Sequence, residues 1–462
     1  MASVAHRVRH LVAGQDVTTP DPNARRGALA AVTSRFGVGR QALSDGASGL
    51  VLEVCQLVGT FVFFALVGRG LGPTDYGSFA AMYSLIGVSL ALAHIGPGLA
   101  FLQSAMGSSA RTVSAHFFSI YAVFIGISVV IVLATSQFLL PRLSIWTVVL
   151  FMVAELFGTT LVQIARTLRL IVNGFRATVV LQLSLVVVKT VAVVALYFTD
   201  SLTLRSYGIV YSICCVVIGA VAFWKVTASV DVPRRLGRLR RKHVATTLTM
   251  SSTLLVFNLH NDGDKLTMSA NGLGADLGLY AAAYRMVLLA VIPINALVAS
   301  SHRTFVDPKV GNQMRRAAKY TMATTAYTTV AALGLLLAAP IALPLVVGDG
   351  FSGAISITRW LAPLMIVRGF THFPLNALMG LGHTVARLWC IVASAVVAMV
   401  LYITLVPSIS WKGAVIGSYA GDAVLAIAAW VMLWRLGDKP RPTDGDASEA
   451  AMAQVDASYP DE

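Results

Sequence analysis

Long apolar stretches recur along the whole of this chain, and they constrain its fold more than any other feature. Windows of about 20 residues, the length that a helix needs to cross a bilayer core, give twelve candidate spans. Their approximate limits, in order from span 1 to span 12, are 46–68, 77–102, 113–136, 143–165, 178–199, 204–226, 246–270, 277–301, 317–346, 354–380, 384–407 and 412–435. The stretches are too long for barrel strands and do not alternate polar with apolar residues. Because helices satisfy their own backbone hydrogen bonds in lipid, the sequence predicts an all-α membrane protein.

The composition excludes a soluble globular protein and argues against nucleic-acid binding. Hydrophobic residues make up 56% of the 462 and charged residues only 12%, whereas soluble domains carry about 25% charged residues. The net charge of +14 comes from Lys and Arg in the loops between spans, where the positive-inside rule accounts for them. The four cysteines fall in apolar segments and show no metal-binding spacing.

The distribution of basic residues predicts the orientation. Alternate loops are basic, and the loops between them are short and nearly neutral. The basic loops carry Arg166, Arg169, Arg176, Arg234, Arg235, Arg238, Arg240, Arg241, Lys242, Arg303, Lys309, Arg315 and Arg316. We therefore expect a multi-pass protein of the cytoplasmic membrane with both termini in the cytoplasm.

A repeated motif predicts that the chain is built from two similar halves. Residues 70–84 and 272–285 align after one deletion, with Gly-Leu-Gly, Asp, a third Gly, an aromatic residue, Ala-Ala and Tyr in common. Duplicated membrane units about 200 residues apart are typical of transporters. The predicted domains are a basic cytoplasmic tail (1–45), a six-helix lobe (46–226), a basic linker (227–245), a second six-helix lobe (246–435) and an acidic disordered tail (436–462).

Each copy of the motif is predicted to be a tight hairpin between two spans. Glycines supply the backbone freedom, and an aspartate accepts backbone N–H bonds at the start of the second helix. The aromatic residues of the two copies are expected at the depth of the membrane interface, as an aromatic belt. They are Tyr76, Phe79, Tyr83, Tyr280 and Tyr284.

Two further helices carry signs of irregularity. In span 2, His94 followed by Gly96-Pro97-Gly98 indicates a disturbed helix rather than a ligand site. In span 10, Pro363 and Pro374 predict kinks, since proline removes a helical hydrogen bond.

Ionisable residues at membrane depth form the candidate site. Each costs about 2.5–3.5 kcal/mol on insertion scales, so such residues usually face a cavity or a partner. They are Glu53 in span 1, Glu155 in span 4, Lys189 in span 5, His260, Asp262, Asp264 and Lys265 in span 7, Arg368 and His372 in span 10, and Asp422 in span 12. Two interpretations stay open: a hydrated central cavity, or internal salt bridges such as Asp262 with Lys265 that fix helix packing.

The two hairpins resemble those of a known family. The stretch Leu66–Phe79 is similar to the first hairpin of bacterial polysaccharide (O-antigen, Wzx-type) flippases. Asp264–Met268, followed by Gly272–Gly274, Gly278–Tyr280 and Ala283–Arg285, resembles their seventh and eighth helices. The resemblance implies membership of the multidrug/oligosaccharidyl-lipid/polysaccharide (MOP) exporter superfamily, with two pseudo-symmetric six-helix bundles around a central cavity. Many polysaccharide members have fourteen spans, whereas this chain is predicted to have twelve.

The function that follows from the resemblance is translocation of a polyprenyl-diphosphate-linked oligosaccharide for cell-surface polysaccharide biosynthesis. The expected phosphate and sugar contacts are Arg368, Lys265, Arg285, Lys189, His372 and Asn376, because arginine binds phosphate bidentately. The candidate coupling groups for a proton or sodium gradient are Asp264, Asp262, Glu53 and Glu155. No cofactor or metal is expected. The expected partners are membrane lipids, with glycosyltransferases and a polysaccharide polymerase as candidates.

The sequence also bears on three other functions. A drug or cation antiporter of the same superfamily is the alternative, although cations at depth favour an anionic cargo. A polytopic enzyme would need acidic residues on a substantial outer loop, and the predicted outer loops are very short. A structural scaffold would not need buried charges.

Overall fold

The computed structural model describes residues 40–105, 110–230, 232, 235–306 and 313–437, and these are almost entirely helical. Most of the basic N-terminal tail, nearly all of the acidic C-terminal tail and the side chain of Glu53 lie outside the described residues. The α-helices are Arg40–Leu90, Gly96–Ala105, Ala110–Leu139, Ile145–Met152, Thr160–Asn173, Val179–Phe198, Leu204–Ser229, Arg241–Ala270, Gly274–Val306, Gln313–Val347, Ala354–Leu361, Leu364–Gly369, His372–Gly380, Thr384–Ile409 and Trp411–Leu436.

The helices agree with the predicted spans. Nine described helical segments are long and apolar enough to cross a membrane. One of them, Val54–Ala105, contains most of span 1 and all of span 2, so these nine segments account for ten predicted spans. Of the other two, span 7 is a continuous but more polar helix and span 10 is broken into shorter helices. The chain is therefore a multi-pass, all-α membrane protein.

Span 10 consists of three short helices joined at two breaks. The first break lies at Ala362–Pro363, where a kink was predicted, and the second at Phe370–Thr371, just before Pro374. Backbone carbonyl groups beside the breaks find partners on span 12: Tyr419 donates to the Trp360 carbonyl at 2.8 Å. Trp430 Nε1 donates to the Phe370 carbonyl at 3.0 Å. These two carbonyl groups are thus satisfied within the bundle, as polar backbone groups in a membrane must be.

Spans 2 and 4 each contain a π-helical segment. In span 2 it covers Ala91–Ile95 and includes His94, so the predicted helix irregularity is confirmed. In span 4 it covers Val153–Thr159 and includes Glu155. Such π-bulges occur frequently at functional sites because they change the direction in which side chains project.

The two copies of the repeated motif pack directly against each other. Gly72 and Gly272 turn the chain with φ of 70° and 72°, a region that favours glycine. Gly77 and Gly278 lie where the hairpins meet: a Cβ on Gly278 would overlap the Pro73 carbonyl group, and one on Gly77 would overlap the backbone of the second hairpin. We call this end of the bundle the hairpin end and the opposite end, which carries the basic loops, the basic end.

The prediction of an aromatic belt on these hairpins is wrong. Tyr76 and Phe79 are each 3% exposed, Tyr280 is 0% exposed and Tyr284 is 3% exposed. The fifth, Tyr83, is half-buried and lines two internal cavities. The other four are buried because the hairpins meet inside the bundle, so their aromatic faces point toward the protein interior and not toward the lipid interface.

The buried apolar core joins the two halves at the hairpin end. There a single cluster of buried apolar side chains includes Phe64 and Tyr76 from the first half and Leu343 and Val347 from the second half. At the basic end, the buried clusters of spans 2–4 and 6 and of spans 8–10 and 12 are separate. The structure is therefore closed at the hairpin end.

Polar contacts between the halves add to this closure, and further polar contacts join spans 2 and 7. Arg69 at the end of span 1 donates from Nε to the Val346 carbonyl group of span 9 at 3.1 Å. Spans 2 and 7 lie against each other over much of their length: Ser84 Oγ donates to Asp262 at 3.1 Å, and toward the basic end Ser104 Oγ lies 3.3 Å from His243 Nδ1. The two halves are thus held together by the hairpins and by this pair of helices.

Candidate functional site

Two adjoining cavities lie beside span 2, just inside the hairpin end. We name them after the helices that carry their charged groups: the span-5 cavity encloses about 270 Å³, and the span-7 cavity about 280 Å³. The span-5 cavity is lined by Gly59, Thr60, Phe63, Phe64, Tyr76, Phe79, Tyr83, Val186, Lys189, Thr190 and Arg285. The span-7 cavity is lined by Tyr76, Phe79, Ala80, Tyr83, Ser84, Asn261, Asp262, Lys265, Ala281, Tyr284, Arg285 and Leu288. Tyr76, Phe79, Tyr83 and Arg285 border both, so the two cavities share an aromatic wall.

Lys189 brings a positive charge into the span-5 cavity. Its Nζ lies 4.7 Å from the ring centroid of Phe63 and 4.1 Å from that of Tyr83. No carboxylate of the described residues forms an ion pair with it. Cation–π contacts contribute about 0.5–2 kcal/mol and do not neutralise the charge of the ammonium. Lys189 is therefore able to bind an anion in the cavity.

Arg285 brings a second positive charge to the same place from the other half of the chain. It is half-buried, lines both cavities, and has no ion-pair partner among the described residues. Its helix begins at Gly274, and a rise of 1.5 Å per residue puts Arg285 about 16 Å along that helix. That distance is comparable to half the thickness of a bilayer core.

Glu155 is held in a buried cluster of three residues in the first half. The π-helical segment of span 4 positions its carboxylate between Tyr83 of span 2 and Tyr211 of span 6. Both hydroxyl groups donate to Oε1, at 2.7 Å from Tyr83 and 2.8 Å from Tyr211. Glu155 as a whole is 6% exposed, and its carboxylate receives hydrogen bonds from two protein hydroxyl groups.

A cluster of the same kind occurs in the second half, with an opposite charge at its centre. Arg368 of span 10 donates from Nη2 to the Tyr284 hydroxyl at 2.6 Å and from Nε to Asp422 Oδ2 of span 12 at 2.8 Å. Asp422 Oδ1 also lies 3.1 Å from His260 Nε2. Arg368 is therefore neutralised within the protein.

The two clusters occupy corresponding positions in the two halves. Tyr83 and Tyr284 are equivalent residues of the repeated motif, and their partners come from spans 4 and 6 in one half and spans 10 and 12 in the other. The equivalent tyrosine of the motif therefore contacts a glutamate in the first half and an arginine in the second half. Sequence reasoning missed the role of these tyrosines, although their repetition was the available signal.

The polar residues of span 7 are largely satisfied by one another. Lys265 Nζ lies 3.0 Å from Asp262 and 3.1 Å from Asp264, so the predicted ion pair between Asp262 and Lys265 is present. Tyr280 donates to Asp264 Oδ2 at 2.6 Å. Asp262 is the more accessible of the two carboxylates, with 31% of its side chain exposed against 1% for Asp264.

The remaining candidates lie away from these cavities. Asn376 donates to the Val298 carbonyl group at 3.4 Å, and His372 is on the same short helix of span 10, toward the basic end. Neither lines the span-5 or the span-7 cavity. Among the residues that the structure describes, no group of three or more His, Cys, Asp and Glu side chains is arranged to hold a metal ion.

The buried pair of Arg368 and Asp422 makes a stability prediction. Asp422→Asn removes the counter-ion of a buried guanidinium, which should lower the free energy of unfolding by about 3–5 kcal/mol. The matched control is Asp262→Asn, whose carboxylate is partly exposed, and we expect a change below about 1 kcal/mol there. Unfolding by SDS titrated into a mild detergent measures both. Equal stability of Asp422→Asn and the wild type would contradict the assigned pairing.

Comparison with known proteins identifies the fold. No protein-family model matches the sequence, and no curated protein matches it. The inward-facing structure of a multidrug resistance MATE family transporter of the MOP superfamily matches with a TM-score of 0.59 and 13% identity, over 81% of this chain and 93% of the other. A mutant of the Vibrio cholerae MATE transporter VcmN matches with a TM-score of 0.59 and 12% identity, over 87% and 98%. A MOP superfamily transporter from Pyrococcus furiosus matches with a TM-score of 0.55 and 14% identity, over 83% and 94%. The chain has the MATE-like, all-α fold of these transporters.

Proposed function

We propose that this chain is a membrane transporter of the MOP superfamily that moves a lipid-linked saccharide, carried on an isoprenoid diphosphate, across the membrane. The observation that carries the proposal is the pair of cations Lys189 and Arg285. They come from different halves of the chain, face the same cavity, and have no carboxylate partner among the described residues. A diphosphate supplies the complementary charge.

The cavity also suits the other parts of such a molecule. Arginine presents a planar fork that binds phosphate oxygens bidentately, and lysine adds a compact point charge. The rings of Phe63, Phe79 and Tyr83 offer apolar faces beside the two cations. Aromatic rings pack well against the apolar faces of sugars and prenyl groups. Cations with aromatic walls therefore match a ligand that has both an anionic and an apolar part.

Three of the carboxylates near the cavities are bound by protein groups, which makes them less suited to a cationic cargo. Glu155 accepts from two tyrosines, Asp264 is bound by Lys265 and Tyr280, and Asp422 by Arg368. A drug or cation antiporter is the alternative, since the MATE relative of the fold is described as a multidrug transporter. The Pyrococcus furiosus transporter of the same fold is described as having a binding pocket of reverse polarity, which suggests a different function for that protein.

Movement of cargo would proceed by alternating access. In one of the two alternating states the hairpin end must be closed. The shared core at the hairpin end and the separate clusters at the basic end agree with that state. If the hairpins opened while the basic end closed, the cavity would become accessible from the other side of the membrane. Of the candidate coupling groups, Asp262 is both accessible and part of the cavity wall, and we propose it as the site that a proton or sodium ion occupies.

The proposed cargo also indicates the location and the partners of the protein. We propose that it lies in the cytoplasmic membrane with both termini in the cytoplasm, that it performs no catalysis, and that it acts between glycosyltransferases and a polysaccharide polymerase. The two six-helix lobes, 46–226 and 246–435, are joined by the linker 227–245 and would rock against each other.

Binding to the purified protein tests the charge of the cargo. We expect farnesyl diphosphate, a short isoprenoid diphosphate, to raise the thermal stability, whereas neutral farnesol should not. Lys189→Gln removes one charged contact and should weaken binding of the diphosphate about tenfold. The control is Arg205→Gln, because Arg205 is an exposed cation outside the cavities. Stabilisation by a cationic dye but not by farnesyl diphosphate would favour the antiporter.

A further inference from the structure

A groove on the outer surface of the second half combines an apolar floor with two cations at one end. It runs between spans 10 and 12 at the hairpin end and encloses about 860 Å³. Pro363, Val367, Val415 and Ala423 are among its apolar lining residues. Arg359 and Lys412 lie at its mouth, both exposed and without an ion-pair partner among the described residues.

The dimensions of the groove match one leaflet of a bilayer. Lys412 is the second residue of the helix Trp411–Leu436, and Ala423 lies eleven residues further along. At 1.5 Å per residue this corresponds to about 16 Å, and half of a hydrocarbon core is about 15 Å. With the cations at headgroup depth, the groove therefore reaches to about the middle of the membrane.

The residues around the mouth fit an interfacial headgroup. Trp360 and Trp411 lie beside Arg359 and Lys412, and tryptophan side chains are enriched at the membrane–water boundary. Lys412 Nζ lies 5.8 Å from the Trp411 ring centroid. Two unpaired cations above an apolar groove of one leaflet's depth complement a molecule that has one anionic phosphate and long acyl chains.

We propose that this groove binds an anionic phospholipid of the surrounding membrane, with its phosphate between Arg359 and Lys412 and an acyl chain along spans 10 and 12. The lipid covers the first break of span 10, since Pro363 lines the groove. It also packs behind the buried pair of the second half, because Val367 and Ala423 are the chain neighbours of Arg368 and Asp422. This binding is independent of the cargo of the central cavities.

Native mass spectrometry of the protein in neutral detergent tests the proposal. With equal amounts of phosphatidylglycerol and phosphatidylcholine added, we expect preferential retention of phosphatidylglycerol. The double variant Arg359→Gln/Lys412→Gln should lower that retention about tenfold. Ala423→Phe keeps both cations but fills the groove, and it should lower retention as well. Arg205→Gln, an exposed cation at the hairpin end outside the groove, is the matched control and should retain the lipid as the wild type does.

A second measurement uses the unmodified chain and does not depend on how the variants fold. Photoactivatable phosphatidylglycerol should label peptides from residues 354–367 and 409–423. Labelling confined to other spans would overturn the proposal, as would equal retention of the two lipids. Displacement of the label by an equimolar isoprenoid diphosphate, but not by phosphatidylglycerol, would assign the groove to the cargo and overturn it too.

Discussion

Reversing the charge of Arg285 should abolish transport. In Arg285→Glu the cavity keeps Lys189 but gains a carboxylate that repels a diphosphate. At an effective dielectric constant of about 20, a unit charge about 6 Å from a phosphate oxygen contributes roughly 3 kcal/mol. Reversal therefore changes the interaction by roughly 5 kcal/mol, which corresponds to more than about 1,000-fold in affinity.

The measurement is the initial rate of leaflet transfer in proteoliposomes, compared at equal amounts of folded protein. Arg285→Lys keeps the charge but loses the planar fork, so we expect a loss of only about tenfold. Arg205→Glu makes the same change in charge at an exposed position of the hairpin end, outside the cavities, and should transport normally. A wild-type rate in Arg285→Glu would show that the cavity does not bind the cargo through this cation.

A single methyl group at the meeting point of the hairpins should prevent their closure. The Cβ of Gly278→Ala would overlap the Pro73 carbonyl group, which belongs to the backbone of the other hairpin and has no flexible end that could move aside. We expect this variant to occupy mainly states that are open at the hairpin end, and its transport rate to fall by at least about tenfold, because the cycle needs both states.

Spin labels at Thr74 and Ala275, one exposed residue in each hairpin, report the opening directly. The four native cysteines are first replaced. Gly278→Ala should lengthen the distance between the labels, whereas Gly87→Ala, at a glycine of span 2 whose added Cβ would have nothing within 4 Å, should leave it unchanged. An unchanged distance in Gly278→Ala would contradict the close approach of the hairpins.

The features that sequence could predict are those with a local cause. Hydropathy located the spans because each must cross the same thickness of lipid. The ion pair between Asp262 and Lys265 follows from their spacing on a single helix. The irregularity at His94 has a local signal as well, in the glycines and proline that follow it.

The features that the sequence could not predict depend on which helices pack against each other in the fold. Arg368 and Asp422 are 54 positions apart, and their pairing reflects the packing of span 10 against span 12. The aromatic residues of the hairpins were placed at the lipid interface because a single hairpin does not reveal that its repeat packs against it. For the same reason, spacing could not separate Lys189 and Arg285 from the cations that have buried counter-ions.

A leaflet-transfer assay decides whether the protein carries an isoprenoid-diphosphate-linked saccharide across the membrane. Proteoliposomes would carry a fluorescent isoprenoid-diphosphate oligosaccharide, and a membrane-impermeant quencher would report its arrival in the outer leaflet. We predict transfer faster than in protein-free vesicles for this lipid, with no acceleration for a cationic dye. Transfer of the lipid no faster than in protein-free vesicles, in a preparation that transports the dye, would contradict the account.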